Sequence, residues 1–496
     1  MGMFTDISPG LLALYAAVAA LALLVMGLNP RWLPAMLVLA MPAGNFDLEG
    51  PVSFSLSKII LLVFVITLPA QIASASRQMQ RIRFPLALSI FLMVVVVTTL
   101  GSLVWSAGMS SEGFEALRGP VLRPIVQMAS LGLRISAFVA IQMWASDDDG
   151  WARICKATLF ASTLVAAYGV YQFIGYYSEL PVMTIHRPQS DLSGGYAFFN
   201  IGSLSIFRVG SFVGEPKVAA SFLLPSIILI IFARSTGNVR LRSWLTSIPV
   251  LVLHLVVFIL TFATSSLFAL IISFPFLAYL LWRLSGRLRL DRLVIAAIVL
   301  YVAVGVLIAL GGGSQTATEI LRARTTERVQ STDTPEPPAL NFLMDNPRVL
   351  LTGVGWGNTS FYLRPYYDPY YYLPLTVTVN SGYLQILLEG GLPALLAFLF
   401  FLGGALFRFS HFAWNTQDAE RRDMLTITLA VCVVVAATHA FTSTETQIWV
   451  FWGLLMSLWR VETQSDHAPV CNSPGLFNPV LGRRINQHAV NSLTGN

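Results

Sequence analysis

Long apolar runs broken by short polar stretches dominate the chain. The runs fall at about 11–27, 33–43, 59–73, 84–106, 121–144, 155–176, 218–233, 244–263, 266–282, 293–311, 382–407, 424–441 and 446–459. A helix needs about 20 apolar residues to cross the roughly 30 Å hydrocarbon layer, and most of these runs approach that length. The second is short enough to be a half-span, so the pattern predicts twelve or thirteen membrane helices. Composition points the same way. Hydrophobic residues make up 55% of the 496 and charged residues 11%, where a soluble domain carries about 25% charge. The expected fold class is therefore an all-α polytopic membrane protein. A single transmembrane domain is expected over 1–460, followed by a polar, disordered cytoplasmic tail at 461–496. Met1 to Gly10 holds no Lys or Arg, so the first run reads as a retained span rather than a cleavable signal.

The net charge of +6 suggests nucleic acid only if the positions of the charges are ignored. Arg77, Arg81, Arg83, Arg153, Lys156, Arg234, Arg240, Arg242, Arg283, Arg287, Arg289, Arg292, Arg408, Arg421 and Arg422 all fall in one alternate set of short connections. The opposite set of short connections holds only Arg118. Short basic loops face the cytoplasm, which places the long segments 177–217 and 312–381 outside. Cys155, Cys432 and Cys471 are too few and too scattered for a disulfide framework or a zinc site.

Long outer segments are seldom mere connectors. The first ends in Arg208-Val-Gly-Ser-Phe-Val-Gly-Glu215-Pro216-Lys217 and runs straight into a span. Pro216 suits a first helical turn, and Glu215 suits its positive end. Two readings stay open: a helix cap with solvated charges, or a site where Arg208 and Lys217 hold phosphate and Glu215 handles a proton. The second segment carries Arg348 and then Thr352-Gly-Val-Gly-Trp356-Gly-Asn358. With no βαβ context this is no dinucleotide fingerprint, and it reads as a tight turn packing on the bilayer surface. Tyr366, Tyr367, Tyr370, Tyr371 and Tyr372 read either as an interfacial belt or as a platform for sugar rings.

Polar residues inside spans are costly, about 2.5–3.5 kcal/mol for a central charge on insertion scales. Arg123, Gln127, Ser130 and Arg134 form one stripe on the fifth run, and Ser381, Gln385 and Glu389 form another on the eleventh. The spacings place each set on one helix face. Arg134 and Glu389 are either a buried ion pair or part of a polar groove descending from the outer face. His254 reads as a satisfied core histidine, while His439, Thr442 and Glu445 line the outer end of the twelfth run. No nucleotide loop, metal-ligand cluster or serine-hydrolase elbow emerges.

These features resemble the O-antigen polymerase and ligase superfamily of bacterial envelope glycosyltransferases. The resemblance rests on Arg208-x-Gly-Ser-Phe-x-Gly-Glu-Pro, on Asn346-Pro-Arg-x-Leu-Leu-x-Gly-x-Gly-x-Gly-Asn, and on Asn380-Ser381-Gly-Tyr383-Leu-Gln-x-Leu-Leu-Glu389-Gly-Gly-Leu, in that order. It implies a GT-C-like glycosyltransferase of the bacterial inner membrane, acting at the periplasmic face on undecaprenyl-pyrophosphate-linked glycan. Membrane lipid and a chain-length copolymerase are the further partners implied, with no nucleic acid, cofactor or metal. Catalysis would fall to Glu215 and Arg208. Substrate binding would fall to Arg123, Arg134, Lys217, Arg348, Asn380, Ser381, Tyr383 and Glu389. The ligase branch carries a His-Asn pair where this chain reads Asn380-Ser381, and a Ser-Arg pair where it reads Ser265-Ser266. Glu215-Pro216 resembles the polymerase branch, which is favoured. A ligase that transfers glycan to an acceptor such as lipid A core, and a polysaccharide flippase or transporter, remain the alternatives.

Overall fold

The structure, a computed structural model, describes residues 9–45, 55–74, 82, 84–106, 121–145, 147–182, 198–201, 204–285, 336–366, 379–442 and 445–465. The chain folds as a helical multi-pass membrane protein. Its helices are α1 Pro9–Leu28, α2 Leu33–Ala40, α3 Leu56–Ser74, α4 Leu86–Ser106, α5 Leu122–Trp144 and α6 Asp148–Tyr177. A small antiparallel hairpin follows, β1 Phe198–Ile201 and β2 Leu204–Phe207. Then come α7 Pro216–Thr236, α8 Ile248–Leu260, α9 Thr264–Ser285, α10 Glu336–Asp345, α11 Val349–Thr352, α12 Thr359–Leu363, α13 Gly382–Asn415, α14 Ala419–His439 and α15 Glu445–Ser465. Among the described residues seven helices are long and apolar enough to cross a membrane: α4, α5, α6, α7, α9, α13 and α14. Shorter apolar stretches lie in α1, α3 and α8. The expected run at 293–311, the basic loops at 75–81 and 286–292, most of the aromatic run after Tyr366, and the tail beyond Ser465 lie outside the described residues.

The half-span has a clear role. Arg153, at the start of α6, donates to the Arg31 carbonyl at 2.7 Å, and its guanidinium lies 4.9 Å from the Trp32 ring. That fixes the turn after α1 at the end of the bundle where the arginines collect, here called the basic end. From there α2 and a 3-10 turn, Met41–Asn45, run along α6 to meet the segment Ser211–Val213 near the opposite end.

Helix α13 is broken at Gly391, whose φ of 73° is open to glycine. Pro393 follows and has no N–H, so the Glu389 carbonyl loses its helical donor. A glycine-rich loop supplies the replacement: Gly355 N–H donates to Glu389 O at 2.9 Å, and Val354 N–H donates to Leu388 O at 2.8 Å. The approach is so close that a Cβ on Gly353 would sit 2.3 Å from the Glu389 carbonyl oxygen. The Thr352–Asn358 turn therefore does not lie on the bilayer surface, as expected from sequence. It is wedged between α4, α5 and α13, with Trp356 buried and its N–H bonded to Thr99 Oγ1 at 3.1 Å. Irregular backbone is tolerated near lipid where protein buries it and satisfies its polar groups.

Candidate functional site

Two polar groups converge at the end of the bundle opposite the basic loops. The first is a rim. Val209 N–H donates to Leu260 O at 3.0 Å and Arg208 Nε to Thr261 O at 3.2 Å, which ties this segment to the end of α8. Ser211 N–H donates to Gln172 Oε1 at 2.8 Å, which ties it to α6. The chain then turns through Gly214 at φ 90° and enters α7, with Glu215 in the N-cap position and Pro216 in the first turn. Glu215 does not cap that helix with its side chain. Its carboxylate instead pairs with Lys217 at 2.9 Å, both side chains remaining partly exposed. Lys217 also donates to the Asn380 side-chain carbonyl. The first and third sequence motifs, 163 residues apart, thus meet through one ammonium group.

Helix α13 begins beside that contact. Ser381 is its N-cap, accepting from Leu384 N–H at 3.3 Å, so its side chain serves the helix first. Tyr383 donates to the Ala436 carbonyl at 2.9 Å and packs edge-on against His439 at 5.0 Å. Its side chain therefore faces α14, and it holds two helices together. The imidazole of His439 lies directly against Gly382, where any Cβ would fall 2.0 Å from the ring. An imidazole does stand at the opening of this helix, contributed by α14 rather than by the Asn380-Ser381 pair.

The second group is buried. Glu389 is 2% exposed, and its Oε1 accepts from Thr359 Oγ1 at 3.1 Å and Gln385 Nε2 at 3.4 Å. Arg123, also buried, donates to Ser360 Oγ at 2.9 Å and lies 5.7 Å from the Phe361 ring centroid. Gln127 packs on Gly357, where a Cβ would approach it to 2.6 Å. Arg134 interacts electrostatically with both Glu389 and His439. The two stripes on α5 and α13 face one another as expected, but the glycine loop and α12 fill the space between them. The sequence pattern anticipates an ion pair or an open groove; Arg134 and Glu389 interact electrostatically, and Glu389 also accepts hydrogen bonds from Thr359 and Gln385. Arg348 joins neither group: it is exposed at the head of α11, with no ion-pair partner among the described residues. His254 is a satisfied core residue, with Nδ1 donating to Val250 O at 2.7 Å and Nε2 2.9 Å from Ser162 Oγ.

The basic end is built differently. Arg240 reaches Asp149 at 2.7 Å, Asp148 at 3.1 Å and Glu420 besides, clamping the loop before α8 to the starts of α6 and α14. The Glu420 hydrogen bond, assisted by the nearby Asp148 and Asp149 charges, holds the guanidinium further toward its charged form. Comparison of the chain with protein-family models, curated proteins and solved structures finds no match.

Proposed function

We propose that this protein is a membrane glycosyltransferase of GT-C-like architecture that polymerises undecaprenyl-pyrophosphate-linked repeat units at the periplasmic face of the bacterial inner membrane. The observation that carries the reading is the rim, where Lys217 stands between Glu215 and Asn380, with Arg208 in the same segment. An ammonium has three N–H donors; two are engaged by Glu215 and Asn380, and the third suits a phosphate oxygen. In the reaction an acceptor hydroxyl oxygen attacks the anomeric carbon. The bond from that carbon to the phosphate oxygen breaks, and undecaprenyl pyrophosphate departs with the bonding electrons. Arg208 and Lys217 would stabilise the charge that develops on it, Arg208 through its planar fork of donors. Glu215 would receive the hydroxyl proton. The buried group around Arg123, Arg134 and Glu389 sits behind this rim and fixes α5, α12 and α13 relative to one another.

Glycolipid analysis of a deletion strain tests the reading. Single lipid-linked repeat units should accumulate, with long polymer absent. The position of His439 favours the ligase alternative as the second reading, because it places an imidazole at the opening of α13. Long lipid-linked polymer that persists in the deletion strain, missing only its final attachment, would establish that alternative.

A further inference from the structure

Exposed aromatic residues are distributed differently at the two ends of the bundle. At the basic end they include the tryptophans Trp32, Trp244, Trp282 and Trp414 and the phenylalanines Phe84 and Phe407. Arg153 lies over Trp32 and Arg283 over Trp414. At the opposite end the three exposed tyrosines among the described residues, Tyr171, Tyr176 and Tyr177, all stand on the last two turns of α6.

This end of α6 adjoins the rim. Tyr176 stacks face to face on Phe207, with centroids 4.4 Å apart and planes 8° from parallel. Phe207 directly precedes Arg208. Tyr177 packs edge-on against Tyr176 at 5.2 Å, and its hydroxyl accepts from the Phe207 N–H at 3.2 Å. Tyr171 donates to the Pro181 carbonyl at 2.8 Å, which holds the chain leaving α6 against the helix. The hydroxyls of Tyr171 and Tyr177 and the ring of Tyr176 are thus tied into the protein. Tyr176 remains 39% exposed and Tyr177 54% exposed.

We propose that Tyr176 and Tyr177 form a glycan-binding subsite beside Arg208. The ligand class is a hydroxyl-rich pyranose ring, whose C–H face packs on an aromatic face while its hydroxyls bond to phenols and water. The placement suits a sugar pyrophosphate, with a pyranose ring on the tyrosines and its anionic end toward the segment that Phe207 and Arg208 begin. The assignment rests on the glycosyltransferase reading above, and it gives the glycan a place on this chain that none of the sequence motifs marks.

The test uses the full-length protein in detergent, with oligosaccharide released from the source strain's own envelope polysaccharide as the probe. Saturation-transfer NMR should report binding by the native protein. The Tyr176→Leu, Tyr177→Leu double variant keeps apolar bulk but loses both ring faces, and its affinity should fall about tenfold or more. The Tyr176→Phe, Tyr177→Phe variant keeps the rings and should retain most of the binding. Trp244→Leu should bind as the native protein does. Equal binding by the Leu and native proteins, or no binding by the native protein, overturns the subsite. If the deletion strain makes normal polymer while binding still depends on the tyrosines, the subsite stands and the polymerase reading falls. If single units accumulate but binding ignores the tyrosines, the reverse holds.

Discussion

The two ends of this bundle use charge in opposite ways. At the basic end Arg240 meets three carboxylates at once, and other arginines lie on tryptophan faces. The arrangement clamps connections and sets orientation. At the opposite end Arg208 and Lys217 sit in a partly exposed segment: Lys217 pairs with Glu215 and is aimed by an uncharged amide, and Arg208 donates to the Thr261 carbonyl. Three carboxylates around one guanidinium engage its donors in holding connections together, whereas Lys217 has one N–H donor beyond the two given to Glu215 and Asn380. On the proposed function, the contrast separates charge that holds the fold from charge that meets the substrate.

Substitutions at the two ends should differ accordingly. The largest effect is expected at Arg208. If it stabilises departing pyrophosphate, Arg208→Ala should reduce polymer formation about a hundredfold or more while thermal stability in detergent stays near that of the native protein. Arg208→Lys should also impair it, because the planar fork is lost. Native levels of product from a stable Arg208→Ala protein would remove this residue from the site.

Next comes Gly353, which belongs to neither end's charges but supports the rim from behind. With φ of 64° and no room for a Cβ against the Glu389 carbonyl, Gly353→Ala should cost about 3 kcal/mol through strain and overpacking. It should lower the unfolding temperature and the yield of folded protein. Gly101→Ala, where nothing lies within 4 Å of the added carbon, should be neutral or stabilise by up to about 1 kcal/mol. Equal behaviour of the two would mean that the glycine loop does not dock on α13 as described.

The smallest effect is expected at the basic end. Arg240→Ala breaks pairs that are largely solvent-exposed, and such pairs contribute about 0–1 kcal/mol each. Polymer formation should be unchanged. Loss of product from a well-folded Arg240→Ala protein would break the division between the ends.

Much of the fold was legible in the pattern of apolar runs, because a membrane helix must be apolar over its whole length. The described helices other than α10, α11 and α12 fall on the runs expected, with α6 and α13 extending several residues beyond them. The facing stripes on α5 and α13 were legible too, since polar residues at helical spacing inside lipid must turn toward protein or a polar cavity. What fills the space between them was not. Gly353, Gly355, Gly391 and Pro393 carry the signal in hindsight: a helix that loses a donor at proline needs one from elsewhere, and glycines allow a loop close enough to provide it. The meeting of Lys217 with Asn380, and of His439 with Gly382, depends on which helices become neighbours, and periodicity along one chain does not encode that. The tyrosine corner on α6 was not legible either. Three tyrosines near the end of a span fit an interfacial belt equally well, and the stacking of Tyr176 on Phe207 depends on a contact between segments that periodicity along one helix does not encode.

The most direct test of the central claim is reconstitution. Purified protein supplied only with undecaprenyl-pyrophosphate-linked single repeat units should lengthen them without ATP or added metal. Glu215→Gln, nearly isosteric but unable to take up the proton, should slow that lengthening about tenfold or more without unfolding the protein. Units that stay single with folded native protein, or a Glu215→Gln protein that extends them at the native rate, would contradict the account.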